Sequence, residues 1–376
     1  MHNPVRGAPD LAERAEELAA ACALVAIEGL GSRSLARLER AFGSARAILA
    51  APARDLVRVP GLGKLPLQRL LEARDRHVPL AVLDALLDRG YLPVAAGMQG
   101  YPKGWERLHD PPMVAFLKGQ PRREQAPLVA IVGTRRASFQ GCSRARNLAR
   151  ELADLGVGIV SGLAEGIDGA AHEGALEASG HTIAVFGTPI DAPWPPVQRP
   201  LARRILEAGG HWISERPPGR GMGQGGFLAR NRLVAAMVDA VVVVEAPARS
   251  GALHTLGLAA ELGIPCFVMR GPQDADSWAG GRKAEADGAT GIDGSTDMLE
   301  ALQWRPASRV SARKATDEAA VVLQAIGHDL ILPEQLSERL GWSLQRLTPV
   351  LNRLVLAGRV AGRGRCVFTA TANERR

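Results

Sequence analysis

The sequence has few cysteines, no long apolar run and little lysine. Its four cysteines form no CxxC pair, so neither a zinc site nor a disulfide framework is indicated, and a reducing cytoplasm fits best. No segment approaches the roughly 20 apolar residues of a membrane helix, and the first residues lack the apolar core of a signal peptide. We therefore expect a cytoplasmic protein with no membrane partner and no metal or other cofactor.

Two nucleotide-binding fingerprints are missing as well. Neither the Walker lysine motif nor G-x-G-x-x-G occurs, which disfavours simple nucleotide hydrolases and dehydrogenases.

What the chain does have is positive charge. It holds 46 Lys and Arg against 39 Asp and Glu, a formal net charge of +7. This balance favours an anionic partner, and nucleic acid is the commonest one inside cells. Nearly all of these cations are arginine, which suits phosphate contacts, although high-GC coding produces the same bias.

The first 75 residues predict short helices joined by two similar turns. Gly29-Leu30-Gly31 and Gly61-Leu62-Gly63 lie 32 residues apart, and each joins two predicted helices. The pattern resembles the helix-hairpin-helix motif, whose glycines free backbone N–H groups at a helix start to meet a phosphate. Helical hairpins that pack together or bind protein are the alternative.

The middle of the chain alternates apolar strands with helices. Helical segments include 143–155, 167–179 and 251–262. This alternation predicts a parallel sheet covered on both faces, with ligands at the carboxyl ends of the strands. The predicted strands are 128–133, 157–162, 181–187, 211–214, 240–246 and 265–269.

Nearly every predicted strand ends in glycine and a small polar residue, as in VGTRRAS, SGLAEGIDG and VEAPARSG. Glycine lets a backbone approach a ligand closely, and Ser or Thr at a helix start caps the helix or donates to an oxyanion. Because the strand ends of a parallel sheet share one edge, an extended polar groove is predicted there.

The chain ends in a third predicted unit, in which three helices precede a hairpin that turns at Gly362–Gly364. Helix, helix, helix, hairpin is the order of a winged helix, a unit that binds either duplex DNA or protein. Its last helix and wing carry arginines placed to contact duplex phosphates: Arg353, Arg359, Arg363 and Arg365.

Several motifs, taken in order, resemble the DNA-processing protein A (DprA, also Smf) family. They are GTR, where the family has G-S-R, then SGLAEGIDGAAHEGAL, SERPPG, FLARNRLVAA and VVVVEAPARSGALHT. The resemblance implies an α/β fold with an extended Rossmann-like parallel-sheet core. It also implies an N-terminal helical domain of the helix-hairpin-helix or SAM-like kind and a C-terminal winged helix.

The resemblance further implies a function. The family binds single-stranded DNA, delivers it to the RecA recombinase during natural transformation, and usually dimerises through the core. A non-catalytic homodimer is therefore expected, with duplex DNA as an additional partner of the winged helix. Carried over by position, the residues for single-stranded DNA are Gly133, Thr134, Arg135, Ser161, Gly162, Phe227, Arg230, Asn231, Arg232, Ser250 and Gly251.

The matching division of the chain has four parts. These are a helical domain at 1–100, a Rossmann-like DNA-binding core at 101–302, a linker at 303–315 and a winged-helix domain at 316–376.

Two rival functions stay open at this stage. The stretch EAPARSGALHT also resembles nucleotide-cleaving or nucleotide-sensing Rossmann proteins of the lysine-decarboxylase-like type, although their usual P-G-G-x-G-T turn is missing. A transcription factor that senses a nucleotide and reads an operator is the other rival. Asp168 and His172 share a helix face and could form an acid–base pair, but a structural carboxylate–imidazole bond is favoured, and Glu245 is also expected to be structural.

Overall fold

The computed structural model describes residues 11–74, 81–119, 121, 126–221, 225–304, 318–319, 321–326, 332–356, 359–363 and 366–369. The chain divides into two compact units, Met1–Pro306 and Ala307–Arg376.

Short helices open the first unit, as the sequence predicts. Gly29 follows the first helix and Gly61 precedes the fifth, and both adopt positive φ angles, of 91° and 72°, which glycine tolerates best. The helices are α1 (Leu11–Ala26), α2 (Ser32–Phe42), α3 (Ala45–Ala50), α4 (Ala53–Leu56), α5 (Lys64–Arg74) and α6 (Ala81–Asp88).

A nine-stranded sheet forms the centre of the first unit, in the order β1-β2-β6-β5-β4-β3-β7-β8-β9. β2 runs in the opposite direction to the other eight strands, and it pairs antiparallel with β1 and with β6. The strands are β1 (Leu92–Val94), β2 (Ala115–Gly119), β3 (Leu128–Val132), β4 (Gly158–Ser161), β5 (Thr182–Phe186), β6 (His211–Ser214), β7 (Ala240–Val243), β8 (Cys266–Met269) and β9 (Thr290–Ile292).

All six predicted strands are present, and three more were missed. β1 and β9 are three residues long and contain Pro93 and Gly291, so neither shows an apolar run. β2 lies inside a proline-rich stretch that reads as a connector. The structure thus confirms the parallel sheet and extends it at both edges.

Helices cover both faces of the sheet. Alternate residues of β3 separate the two faces, since Ile131 packs in the cluster with α7 and α8, whereas Ala130 packs in the cluster with α10 and α11. The helices are α7 (Phe139–Asp154), α8 (Ile167–Glu177), α9 (Arg199–Glu207), α10 (Gly226–Ala236), α11 (Gly251–Glu261), α12 (Ala279–Ala286) and α13 (Ser295–Leu302).

The strand order reverses at β3, which has β4 on one side and β7 on the other. Chain connections leave in opposite directions from such a point, which opens a crevice at the carboxyl ends of the strands. The candidate site lies in this crevice.

The N-terminal helices share a hydrophobic cluster with the sheet. Leu24 and Leu38 belong to the same buried cluster as Phe116, Phe186 and Trp212. β1, although it precedes residue 100, pairs with β2 in the sheet. The helices and the sheet therefore form one compact unit. The boundary at residue 100 between two separate domains stays a prediction.

The second unit contains the helix and hairpin pattern of the predicted winged helix. Residues 321–326 are helical, followed by helices Pro333–Leu340 and Leu344–Leu356 and by a hairpin of Val360–Arg363 with Cys366–Thr369. Its own core includes Leu336, Leu347 and Val360. Most of the predicted linker, from 305 onward, lies outside the described residues.

Candidate nucleic-acid interface

A polar cleft of ≈ 470 Å³ opens at the carboxyl ends of β3, β4 and β7, beside α10. It is the groove predicted from the strand ends. Nine of the eleven residues predicted to bind single-stranded DNA line it: Gly133, Thr134, Arg135, Gly162, Phe227, Arg230, Asn231, Ser250 and Gly251.

Arg230 lies in this cleft and is only 6% exposed. Its guanidinium donates to the carbonyl of Val185 at 2.7 Å, its Nε has no partner, and within the described chain it forms no ion pair. Burial lowers the pKa of Arg230, Arg135 lowers it further, and Asp168 opposes both. Asp168 is therefore a nearby negative charge, but no ion pair holds it directly against the guanidinium, so an anion in the cleft can approach Arg230.

Gly162 makes room for that guanidinium. A Cβ on Gly162 would lie 1.7 Å from an Arg230 terminal nitrogen, so any other residue would displace it. Asp168 orders the same loop by accepting from the N–H groups of Gly162 (3.1 Å) and Ala164 (3.4 Å). Burial raises the pKa of Asp168, while Arg230 and these hydrogen bonds pull it down.

Arg135 and Phe227 form a second feature of the cleft. The guanidinium carbon of Arg135 lies 5.3 Å from the centre of the Phe227 ring, within cation–π range. Arg135 is exposed and Phe227 is half-buried. Part of the Phe227 ring is therefore accessible from the cleft. The pair puts a cation and an aromatic face side by side.

Glu245 fixes the loop that carries Arg135. Its side chain accepts from the backbone N–H and the hydroxyl of Ser138, at 3.0 and 2.8 Å, and its carbonyl accepts from the N–H of Thr134 at 2.7 Å. A Cβ on Gly141 would meet this carboxylate at 1.9 Å. The expected structural role of Glu245 agrees with these contacts.

The far wall of the cleft is the start of α11. Ser250 caps this helix by accepting from the N–H of Ala252 at 3.3 Å, and Asn231 donates to the carbonyl of Gly251 at 3.2 Å, which joins α10 to α11. No heavy atom lies within 4 Å of a Cβ placed on Gly251. The wall is therefore ordered, with open space in front of it.

Two predicted contact residues lie elsewhere. Ser161 is fully buried and donates to the carbonyl of Ile131 at 2.7 Å. Arg232 pairs with Glu215 at 2.5 Å and with Asp110 at 3.6 Å, because two helix positions turn its side chain about 200° away from Arg230. Neither residue lines the cleft, and their contact with DNA stays a prediction.

Sequence reasoning missed ten residues that line the cleft, and three of them are exposed: Arg136, Leu228 and Arg249. Each directly follows or precedes a residue that was chosen. Arg136 and Arg249 add exposed positive charge to its rim. The available signal was their position beside a chosen residue, as in the pair Arg135-Arg136.

His172 does not pair with Asp168, either as an acid–base pair or as a structural bond. Its Nδ1 lies 2.7 Å from the hydroxyl of Thr182, which itself donates to the carbonyl of Ile159, so Nδ1 is the donor. Burial lowers the pKa of His172 to about 3. Asp168 bonds back to its own loop, whereas His172 points to β5.

Of the winged-helix arginines, Arg359 is exposed and its N–H donates to the carbonyl of Leu354. Arg365 and the side chains of Arg353 and Arg363 lie outside the described residues, so the duplex contacts stay a prediction. Within the described part of the chain no His, Cys, Asp and Glu cluster suits a metal ion. No described helix combines the length and apolarity needed to cross a bilayer.

Known sequences resemble this chain over most of its length. The profile of the family described as DNA recombination-mediator protein A matches residues 94–303, and that of the DprA winged helix domain matches residues 305–363. Protein Smf of Synechocystis is 34% identical over 73% of this chain and 70% of its own length. The DNA processing protein DprA of Streptococcus pneumoniae is 40% identical over 46% of this chain and 60% of its own.

Two solved structures share the fold. The X-ray structure of DNA processing protein A from Streptococcus pneumoniae has a TM-score of 0.63 and 28% identity, and the match covers 75% of this chain and 97% of that one. DNA processing protein A from Helicobacter pylori, whose structure concerns a single-stranded DNA binding mode, gives a TM-score of 0.51 at 32% identity over 57% of this chain and 95% of its own. With the ordered cleft, the parallel sheet and the winged helix in place, this chain belongs to the DNA recombination-mediator protein A family.

Proposed function

We propose that this protein binds single-stranded DNA in the strand-end cleft and loads the RecA recombinase onto it during natural transformation. The observation that carries the proposal is Arg230, a buried cation that lines the cleft and, within the described residues, forms no direct ion pair. A DNA phosphate would place a negative charge directly against the guanidinium and accept a hydrogen bond from it.

The rest of the cleft suits a strand rather than a small anion. Arg135, Arg136 and Arg249 add positive charge to the cleft, where neighbouring phosphates of the same strand would lie. The half-buried ring of Phe227 offers a face on which a base can stack, and stacking tolerates any base. We therefore expect most of the affinity to come from the DNA backbone, with little preference for the base sequence.

Family membership supports the remaining parts of the proposal. The Helicobacter pylori relative is described with a single-stranded DNA binding mode, and RecA loading, the homodimer and a cytoplasmic location follow from the family resemblance. Duplex DNA is proposed as a partner of the winged helix alone.

A binding role also fits the contacts of the acidic groups. One Glu245 oxygen is held by Ser138 and the residue is 1% exposed, and Asp168 and His172 are bonded to different partners. These contacts favour a mediator without catalysis over a nucleotide-cleaving enzyme. Release of free base from nucleoside monophosphates would reverse this preference.

Arg135→Ala is the sharpest test, because Arg135 is exposed and its loss should leave folding intact. Loss of one phosphate contact should weaken oligo(dT) binding and lower the slope of log affinity against log salt by about 0.7. Arg203→Ala, an exposed arginine on α9 outside the cleft, is the matched control.

RecA loading on the same DNA, measured in parallel, tests the mediator step. A folded Arg135→Ala protein with wild-type affinity and salt slope would contradict the DNA site. Normal DNA binding without stimulation of RecA filament formation would contradict the loading role alone.

A further inference from the structure

A second basic surface lies on the N-terminal helices and shares no lining residue with the cleft. One cavity, of ≈ 390 Å³, is lined by Arg33, Arg37 and Arg40 of α2 with His109 and Asp110. An adjoining cavity, of ≈ 570 Å³, also includes Arg37 and Arg40. Because they share these two arginines, we treat the two cavities as one α2 groove.

The three arginines of the α2 groove occupy one face of α2. Their spacing of four and three residues places them on successive turns, and all three are exposed, while Leu35 and Leu38 bury the opposite face. Like charges at this spacing repel one another. A helix gains nothing in stability from such a row.

The protein itself does not neutralise this row. Within the described residues none of the three arginines forms an ion pair. The two carboxylates that line the α2 groove pair with other arginines: Asp110 with Arg232, and Asp55 with Arg54 and with Arg58, which also lines the groove. The row is therefore left as uncompensated positive charge.

The second Gly-x-Gly turn holds the middle arginine in place. Arg37 donates to the carbonyl of Pro60 at 3.1 Å, and a Cβ on Gly61 would lie 1.9 Å from one of its terminal nitrogens. Gly63 and Lys64, which follow, are exposed at the start of α5. The turn thus fixes Arg37 through Pro60 and Gly61.

The first Gly-x-Gly turn has a different role. Arg220 of the core donates to the carbonyls of Val25 and Ile27 at the end of α1, and Ser32 at the start of α2 donates to Asp110 at 3.0 Å. The first turn therefore anchors the helices to the core, while the second faces solvent.

We propose that the α2 groove is a second nucleic-acid site, which binds the phosphodiester backbone. Arg33 and Arg40 are separated by about 10 Å along the helix axis, the rise of roughly three nucleotides on one strand of B-DNA. An exposed row of arginines at that spacing matches a polyanion with regularly spaced charges.

The α2 groove is also placed next to the cleft. Asp110 lines the α2 groove and pairs with Arg232, and Arg232 lies on the same helix as Arg230 of the cleft. The two surfaces therefore lie on different sides of α10 within one compact unit. A nucleic acid longer than the cleft can contact both, which extends the proposed function beyond a single site.

The test compares a triple variant, Arg33→Gln with Arg37→Gln and Arg40→Gln, with a charge-matched control, Arg14→Gln with Arg150→Gln and Arg203→Gln. All six arginines are exposed, and the control residues lie outside both the cleft and the α2 groove. The full chain is titrated with oligo(dT) of about six nucleotides, with long oligo(dT) and with duplex DNA, over a series of salt concentrations.

The triple variant should keep wild-type affinity for the short oligonucleotide. For long single strands or duplex its salt slope should fall by about 2, and near 0.1 M salt its affinity should fall roughly 100-fold, or about fivefold per lost contact. Loss on the long single strand identifies a continuing strand as the ligand, and loss on duplex alone identifies duplex; either supports the α2 groove.

Wild-type affinities and slopes on all probes would overturn the proposal, as would an equal loss in the control variant. Arg135→Ala, run alongside, reports on the cleft separately through the short oligonucleotide. Failure of the cleft and failure of the α2 groove therefore give different results. Thermal unfolding of each variant confirms that the folded protein is compared.

Discussion

Replacing Arg230 with methionine separates the stability of the cleft from its function. The guanidinium makes one hydrogen bond, to Val185, and a charged hydrogen bond contributes about 1.5–3 kcal/mol. Against this stands the cost of several kcal/mol for burying an unpaired charge. Methionine keeps much of the volume and removes that cost, and Asp168, which loses the favourable charge of Arg230, keeps its bonds to Gly162 and Ala164. We therefore expect the unfolding free energy without DNA to stay within about 2 kcal/mol of wild type.

Binding should respond very differently. Loss of a charged hydrogen bond to phosphate should lower affinity for oligo(dT) by roughly 10- to 100-fold. Urea unfolding with and without oligo(dT) measures both quantities at once. At a DNA concentration of about 100 times the wild-type Kd, DNA should stabilise the wild type by about 2.7 kcal/mol, and the variant by much less.

Arg232→Met is the matched control on the same helix. It strips two largely buried carboxylates, Glu215 and Asp110, of their partner, so it should destabilise the protein by about 3–5 kcal/mol while the folded fraction keeps its affinity for oligo(dT). If Arg230→Met instead costs more than about 3 kcal/mol without DNA, the charge of Arg230 is compensated inside the protein, and the reasoning that it awaits a phosphate is refuted.

Three further changes test other parts of the structure. Gly162→Ala should abolish single-strand binding in a folded protein, because its Cβ would lie 1.7 Å from Arg230; unchanged oligo(dT) affinity would contradict the placement of that guanidinium. His172 has a folded pKa of about 3 against an ordinary 6.5. As pH falls from 6.5 towards 3, the unfolded chain binds a proton that the native chain does not, and stability should fall by about 1.4 kcal/mol per unit. His172→Gln should remove that part of the slope in urea unfolding at several pH values, and an unaltered slope would show that His172 is not buried as a neutral group. Arg363→Ala combined with Arg365→Ala should weaken duplex binding and leave oligo(dT) affinity unchanged; equal duplex affinity would favour a protein partner for the winged helix.

The sequence predicted the parts of the fold that depend on repeated local patterns. Six continuous apolar strands and their helices were found because strand burial on both faces leaves an unbroken apolar run. β1 and β9, with three residues each, are too short to leave one. Each becomes a strand by pairing with its neighbour in the sheet, and a short stretch of sequence does not show that pairing.

For the candidate site, the sequence predicted which residues share the sheet edge but not how deeply each is buried. Strand-end glycines and arginines share one edge in any parallel sheet, so Arg135, Arg230 and Ser250 meet as expected. Burial was the part that sequence could not supply, because no local pattern indicates that Arg230 is only 6% exposed. The bond from His172 to Thr182 likewise depends on how α8 packs on β5.

The central position of β3 has a consequence for how the protein folds. β3 pairs with β7, and the N–H of Leu128 bonds to the side chain of Asp239, 111 residues later in the chain. Parallel pairings over such separations form slowly, since the loop must close before the contact rewards it. Arg135 and Arg230 come together only after that step. Binding of short oligo(dT) in the cleft should therefore return with the slowest phase of refolding, and a partly folded chain should lack the cleft site.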